Sequence, residues 1–259
     1  MFRVPAPARD RLRSVGAILL VTAAVTAAAC SSMTQPTAPT GSAAATDTPA
    51  PMPTPPAPAP PPAPATARYR ATFDSTWTAA THPADFPASP HFSAMIGGTH
   101  NASVTFWRTG AIASDGIKDM AERGATEPLF QEISAAIAAG TAERVFRAGG
   151  SLGSPGSDSL EFDLSQAFPL VTLVSMIAPS PDWFVGVAGL SLFENGNWVE
   201  ERRVALVPWD AGTDSGVTFT SADVVTAPRQ PITAIVTAPL SPGGQVMPLG
   251  TFTFTRIRN

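Results

Sequence analysis

Three aspartates stand where a chain could grip a cation. Asp210 and Asp214 flank Gly212 in Pro208-Trp209-Asp210-Ala211-Gly212-Thr213-Asp214-Ser215-Gly216, a segment unsuited to regular helix or strand. A tight loop there can aim both carboxylates at one point. Asp182 sits in Pro179-Ser180-Pro181-Asp182-Trp183, a proline-bounded turn just before an apolar run. Three carboxylates drawn from two loops repel one another unless a hard cation joins them. Calcium takes roughly 6–8 oxygens at about 2.3–2.6 Å and suits such donors better than small, tightly hydrated magnesium. Two other readings stay open. Asp210 and Asp214 can make Asx turns to neighbouring amides, or they can form a carboxylate pair of the kind that cleaves glycosidic bonds.

Other reactive residue types carry less. His82, His91 and His100 fall within one stretch, with Asp85 near them, but none is spaced as a helical or strand ligand pair. They are expected to pin a long loop by hydrogen bonds to backbone rather than to hold zinc. Gly149-Gly150-Ser151-Leu152-Gly153 matches the spelling of a nucleophile elbow, which needs a strand before it and a helix after it. Ser154-Pro155-Gly156-Ser157 follows instead, so no serine hydrolase is expected, and the leading reading of the chain as a whole is not an enzyme. Trp77, Trp107, Trp183, Trp198 and Trp209 fall in apolar runs or beside the acidic loops and are expected to pack.

The chain of 259 residues has a formal net charge of −4, with 16 basic and 20 acidic residues. Nucleic-acid binding needs clustered positive charge to displace counterions from phosphates, so none is expected. A single cysteine excludes an internal disulfide framework. Arg3, Arg9, Arg11 and Arg13 precede a short uncharged apolar run ending Ala27-Ala28-Ala29-Cys30-Ser31. That layout is an export signal, and its end resembles a bacterial lipobox. The resemblance implies a lipoprotein signal peptide over residues 1–29, lipidation at Cys30, membrane attachment through that lipid, and a place in the cell envelope, at the outer membrane or cell surface. Residues 30–66 are rich in Pro, Ala and Thr, with almost nothing large and apolar to bury, and read as a disordered linker.

The folded part is expected over residues 67–259. Tyr69, Ala71, Phe73 and Trp77 alternate with polar residues, the signature of a half-buried strand. Similar runs cover 103–107, 144–147, 160–164, 170–178, 183–190, 198–206, 232–237 and 251–257, separated by turn residues that include Asn195-Gly196. Two short helices are expected, over 117–123 and 127–139. The fold class read from this pattern is all-β: an antiparallel β-sandwich with two short helices.

Seven blocks of the chain then match a family in order. Thr81-His82-Pro83-Ala84-Asp85-Phe86, Pro90-His91-Phe92-Ser93, Ile96-Gly97-Gly98-Thr99-His100, Trp107-Arg108-Thr109-Gly110 and Ala113-Ser114-Asp115-Gly116, together with the two acidic segments, resemble the spondin domain of F-spondin and mindin. The resemblance implies a C2-like sandwich and calcium held by Asp182, Asp210 and Asp214. Animal members carry cysteines that are missing from this domain, and their Asp-Trp-Asn stands here as Asp182-Trp183-Phe184. Matrix, integrin and neuronal partners are therefore not carried over. The reading that results is a lipid-anchored, extracytoplasmic, calcium-binding adhesion or recognition module whose partner is an extracellular protein or glycan. The alternatives are an envelope polysaccharide-acting enzyme using paired carboxylates and a purely structural envelope protein.

Overall fold

A computed structural model describes residues 62–258. The expected signal peptide, Cys30 and nearly all of the expected linker lie outside the described residues. In chain order the elements are β1 (Thr66–Ser75), β2 (His91–Phe92), β3 (Ile96–His100), α1 (Asp115–Arg123), α2 (Glu127–Ala138), β4 (Ala142–Arg147), β5 (Leu152–Gly153), β6 (Gly156–Ser165), β7 (Leu170–Ala178), β8 (Trp183–Ser191), β9 (Phe193–Glu194), β10 (Asn197–Trp198), β11 (Glu201–Ala205), β12 (Trp209–Asp210), β13 (Thr233–Ala234) and β14 (Gly250–Ile257). One sheet has the order β11-β14-β1-β6. A larger one runs β13-β12-β8-β7-β2-β5, with β3 also paired to β7 and β4 paired to β3. A small ribbon joins β9 to β10, and every named strand pair is antiparallel. The fold is β-rich, built of several sheets with minor helical content.

The period-two pattern sets which face of β1 is buried. Ala67, Tyr69, Ala71 and Phe73 are buried, while Arg68, Arg70 and Asp74 face solvent. Phe73 lies edge-on to Phe92 and Phe252, with ring centroids 4.7 and 5.0 Å apart. Such pairs add about 0.5–1.5 kcal/mol to their area burial. β7, Leu-Val-Thr-Leu-Val-Ser-Met-Ile-Ala, is apolar on both faces because both are covered. Val171, Leu173 and Ile177 join the core shared with β1 and β14, whereas Val174, Met176 and Ala178 join a second core under the helices.

The first helix begins and stops where local chemistry says it should. Ser114 caps α1, its Oγ accepting from the Ile117 amide at 3.2 Å and donating to Glu132 of α2 at 2.7 Å. Glu132 also accepts from the Gly116 amide at 2.6 Å, which ties the two helices together at that end. Gly124 ends α1 in the left-handed region at φ 65°, its amide bonding back to Asp119 and Met120 carbonyls. Ile117, Met120, Leu129 and Ile133 are fully buried.

Some expected elements differ. Residues 103–107 alternate but form no strand: Phe106 and Trp107 are buried by packing on His100, Phe184 and Trp209 without joining a backbone ladder. The run over 232–237 pairs only at Thr233–Ala234. Asn195 and Gly196 both have positive φ, 51° and 76°, and close the β9–β10 hairpin as expected.

Candidate functional site

Short strands bring the acidic segments side by side. β12 pairs with the start of β8, setting Asp210 opposite Trp183, and with β13, setting Asp210 opposite Thr233. Asp182 therefore lies at the mouth of the loop that follows Asp210. Its backbone carbonyl accepts from the Ala211 amide at 3.1 Å. Its Oδ2 accepts from the amides of Thr213 and Asp214 at 2.7 and 3.0 Å, and from the Thr213 hydroxyl at 3.2 Å.

Glycines allow the loop to close this tightly. Gly212 has φ 72°, and a Cβ there would meet the Gln230 carbonyl oxygen at 2.1 Å. A Cβ on Gly216 would meet Pro181 Cγ at 2.6 Å. Each glycine stands two residues after an aspartate. Asp210 Oδ1 accepts from the Gly212 amide and Asp214 Oδ1 from the Gly216 amide, both at 2.7 Å. These are Asx turns, the local alternative that the spacing left open. Asp214 Oδ2 is also engaged, accepting from the Val224 amide at 2.8 Å.

Asp214 thereby clamps a hairpin. The Ser215 amide donates to the Val224 carbonyl at 2.8 Å and the Thr226 amide to the Thr213 carbonyl at 2.9 Å. Phe219, at the turn, is buried 5.4 Å from the Trp183 ring and 5.5 Å from that of Trp77. Val217, Val224 and Val225 face outward, 73%, 52% and 76% exposed.

The electrostatics single out Asp182. The residue is fully buried, and its Oδ1 has no hydrogen-bond partner. Burial foremost, and then the Asp210 carboxylate, push its pKa from 3.8 to about 6, against the three donors on Oδ2. Asp210 is pushed up by burial and by Asp214, with the Gly212 amide opposing. A buried carboxylate that is raised by a neighbouring carboxylate lacks a compensating positive charge. An orphaned carboxylate oxygen beside a second half-buried carboxylate fits a hard cation. Among the described residues, no three His, Cys, Asp or Glu side chains converge as a ready-made metal cage. Asp214 spends both oxygens on its own loop, so it could reach a cation only through spare lone pairs.

The other candidates have local roles. His91 Nδ1 lies 2.9 Å from the Ser89 carbonyl, and His100 bridges the Asn101 carbonyl at 2.9 Å and Thr172 Oγ1 at 2.8 Å. His82 is buried with Nδ1 2.9 Å from Thr81 Oγ1. Ser151 is followed by the two residues of β5 and no helix, so it is not a nucleophile elbow. Trp77, Trp107, Trp183 and Trp198 are buried, and Trp209 is half-buried. Thr213 and Val224, which hold the two aspartates by their amides, were not singled out from the sequence. The repeated Asp-x-Gly spacing is the signal that could have found them.

Residues 67–243 match the Spondin_N family. Spondin-2 of Rattus norvegicus is 35% identical over 205 residues, 74% of this chain and 62% of that protein. Spondin-2 of Homo sapiens is 36% identical over 176 residues, 66% of this chain and 53% of that protein. Spondin-1 of Bos taurus is 37% identical over 172 residues, 64% of this chain and 21% of that protein. The chain thus spans less than two thirds of the length of these relatives.

These relatives correct the setting expected from the amino terminus. They are vertebrate spondins. The bacterial lipoprotein identity, the lipid on Cys30, the membrane contact through it and the cell-envelope or outer-membrane location are therefore withdrawn. Their physical ground was the single run Ala27-Ala28-Ala29-Cys30, and the match lies wholly downstream of it. The envelope enzyme falls with that setting. The domain's acidic pair is bound up in burial and Asx turns. With a family match covering most of its length, the chain belongs to the Spondin_N family.

Proposed function

We propose that residues 67–259 form a non-enzymatic, extracellular recognition domain whose acidic loops bind calcium. On this reading the two large sheets, which share one core, are the faces of an antiparallel β-sandwich of C2-like shape. The observation that carries the proposal is the buried, unpartnered Oδ1 of Asp182 beside Asp210. Asp182 Oδ1 and Asp210 would hold the ion, with Asp214 contributing through the lone pairs its amide partners leave free. The ion would supply the positive charge that the buried carboxylates lack. The chain's own residues do the rest. Asp182 Oδ2 fixes the amides of Thr213 and Asp214, and Asp214 fixes Val224, so the geometry of the carboxylates and that of the exposed hairpin are one unit. A partner that meets the valine-bearing hairpin would therefore sense the ionic state of the site.

The test is thermal unfolding and titration calorimetry of protein stripped over a chelating resin. Adding calcium should raise the melting temperature with saturable binding at about 10⁻⁴–10⁻³ M, the range of extracellular modules. Magnesium should do much less, and Asp182→Asn/Asp210→Asn should bind neither. An identical melting curve with and without calcium would remove the ion from the account.

A further inference from the structure

The pole of the domain where the chain enters β1 and leaves β14 carries chemistry of the opposite sign. A groove of about 1000 Å³ lies there, bordered by Pro64 and Thr66 on entry and by Ile257 on exit. Four guanidinium groups line it, from Arg68, Arg144, Arg256 and Arg258, together with only two carboxylates, Glu161 and Asp163. The pairing around the groove leaves positive charge over. Glu161 is shared between Arg68, at 3.1 Å, and Arg70, at 2.7 Å. Glu200 is shared between Arg256, at 3.0 Å, and Arg258, at 2.9 Å. Arg144 is exposed and has no ion-pair partner among the described residues. Arg256 is well covered, its side chain 20% exposed, so one guanidinium is set in place before any ligand arrives.

We propose that this groove binds an acidic polysaccharide. Guanidinium forks donate two parallel hydrogen bonds to a sulfate or carboxylate group. Glu161 and Asp163 keep lone pairs that can accept from sugar hydroxyls. The lining thus offers donors for anions and acceptors for hydroxyls in one recess, and a charged sugar chain carries both. The other polyanions fit less well. No aromatic side chain lines the groove to stack on a base. A flat anionic bilayer cannot enter a recess between strand ends. Exposed ion pairs add little to stability, so exchanging them for a ligand's anions costs little.

The experiment uses the full chain at low ionic strength with four probes: heparin as the sulfated polysaccharide, polygalacturonate as the carboxylated one, single-stranded RNA, and vesicles of phosphatidylcholine with one fifth phosphatidylserine. Saturable binding of heparin or polygalacturonate is expected, weakening steeply with added salt. Arg144→Ala/Arg258→Ala should weaken it at least tenfold with an unchanged melting temperature. Arg123→Ala, which removes an arginine paired with Asp119 on α1, should bind as the parent does. Equal binding by the Arg144 and Arg258 variant, or no binding of either polysaccharide, would overturn the proposal. Capture of RNA or vesicles in preference to both polysaccharides would overturn the ligand class. Stripping calcium should leave this binding unchanged, which separates the groove from the acidic loops at the other pole.

Discussion

Replacing Asp182 by Asn should stabilise the calcium-free domain and abolish the stabilisation that calcium gives. The side chain is fully buried, and its pKa stands at about 6 against an ordinary 3.8. The folded state therefore holds a proton that the unfolded state has lost between about pH 4 and pH 6. The carboxyl's contribution to stability is greatest below pH 4, falls as pH rises through 6, and is flat above. The shift corresponds to about 3 kcal/mol at neutral pH. Asn keeps the shape and stays neutral, so it escapes that cost. For a domain of this size the difference is roughly 6–12 °C in melting temperature. Other carboxylates titrate with the opposite sign. Glu161, for example, is held below its usual range chiefly by Arg70 and then Arg68. The quantity to measure is thus the difference between parent and variant, by urea unfolding of resin-stripped protein at pH 4.5 and 7.5. Without calcium, Asp182→Asn should exceed the parent by about 1 kcal/mol at pH 4.5 and by about 3 kcal/mol at pH 7.5. With calcium at about ten times its dissociation constant at pH 7.5, the parent should gain about 1.4 kcal/mol and the variant nothing, so the gap should narrow by that amount. Parallel pH profiles, or a variant weaker than the parent in both media, would refute the buried-charge reasoning.

Three further outcomes follow from the geometry. Gly212→Ala adds a Cβ at φ 72° against the Gln230 carbonyl oxygen, and should cost about 2–4 kcal/mol in chemical denaturation while abolishing the calcium response. Ser114→Ala removes the α1 cap and a hydrogen bond to Glu132, and should cost about 1–2 kcal/mol, lowering the melting temperature by a few degrees with calcium binding intact. Phe73→Ala empties a fully buried site between Phe92 and Phe252 and should cost about 3–5 kcal/mol by the same denaturation assay.

The parts of the fold that were legible in the sequence are those where side chains report their own burial. β1 alternates because one face is wet, and β7 carries apolar residues on both faces because neither is. β3 was not marked as a strand because Gly97 and Gly98 have no side chain to alternate. A Cβ on Gly97 would meet the Thr172 carbonyl oxygen at 2.1 Å, so the strand needs the absence that hid it. Residues 103–107 mislead in the opposite sense, since alternation reports which side chains are buried and not which amides are paired. At the acidic loops the residue types were visible, but not that Asp214 is consumed by its own hairpin or that Asp182 Oδ1 is left alone. The arginine groove had no sequence signature at all, because its residues lie on four strands far apart in the chain.

The register of β1 has a consequence for display. Arg68 pairs with Ile257 and Ser75 with Gly250, so β14 runs back along β1 from Ser75 to Arg68. Ten extended residues reach roughly 30 Å. Both main-chain doorways thus open on the same side, while the far end of β1 leads to Trp77 and, through Phe219, to Trp183 and the aspartates. Any neighbour fused at either doorway, whether a further module or an engineered label, hangs behind the domain like a handle and leaves the acidic tip pointing forward.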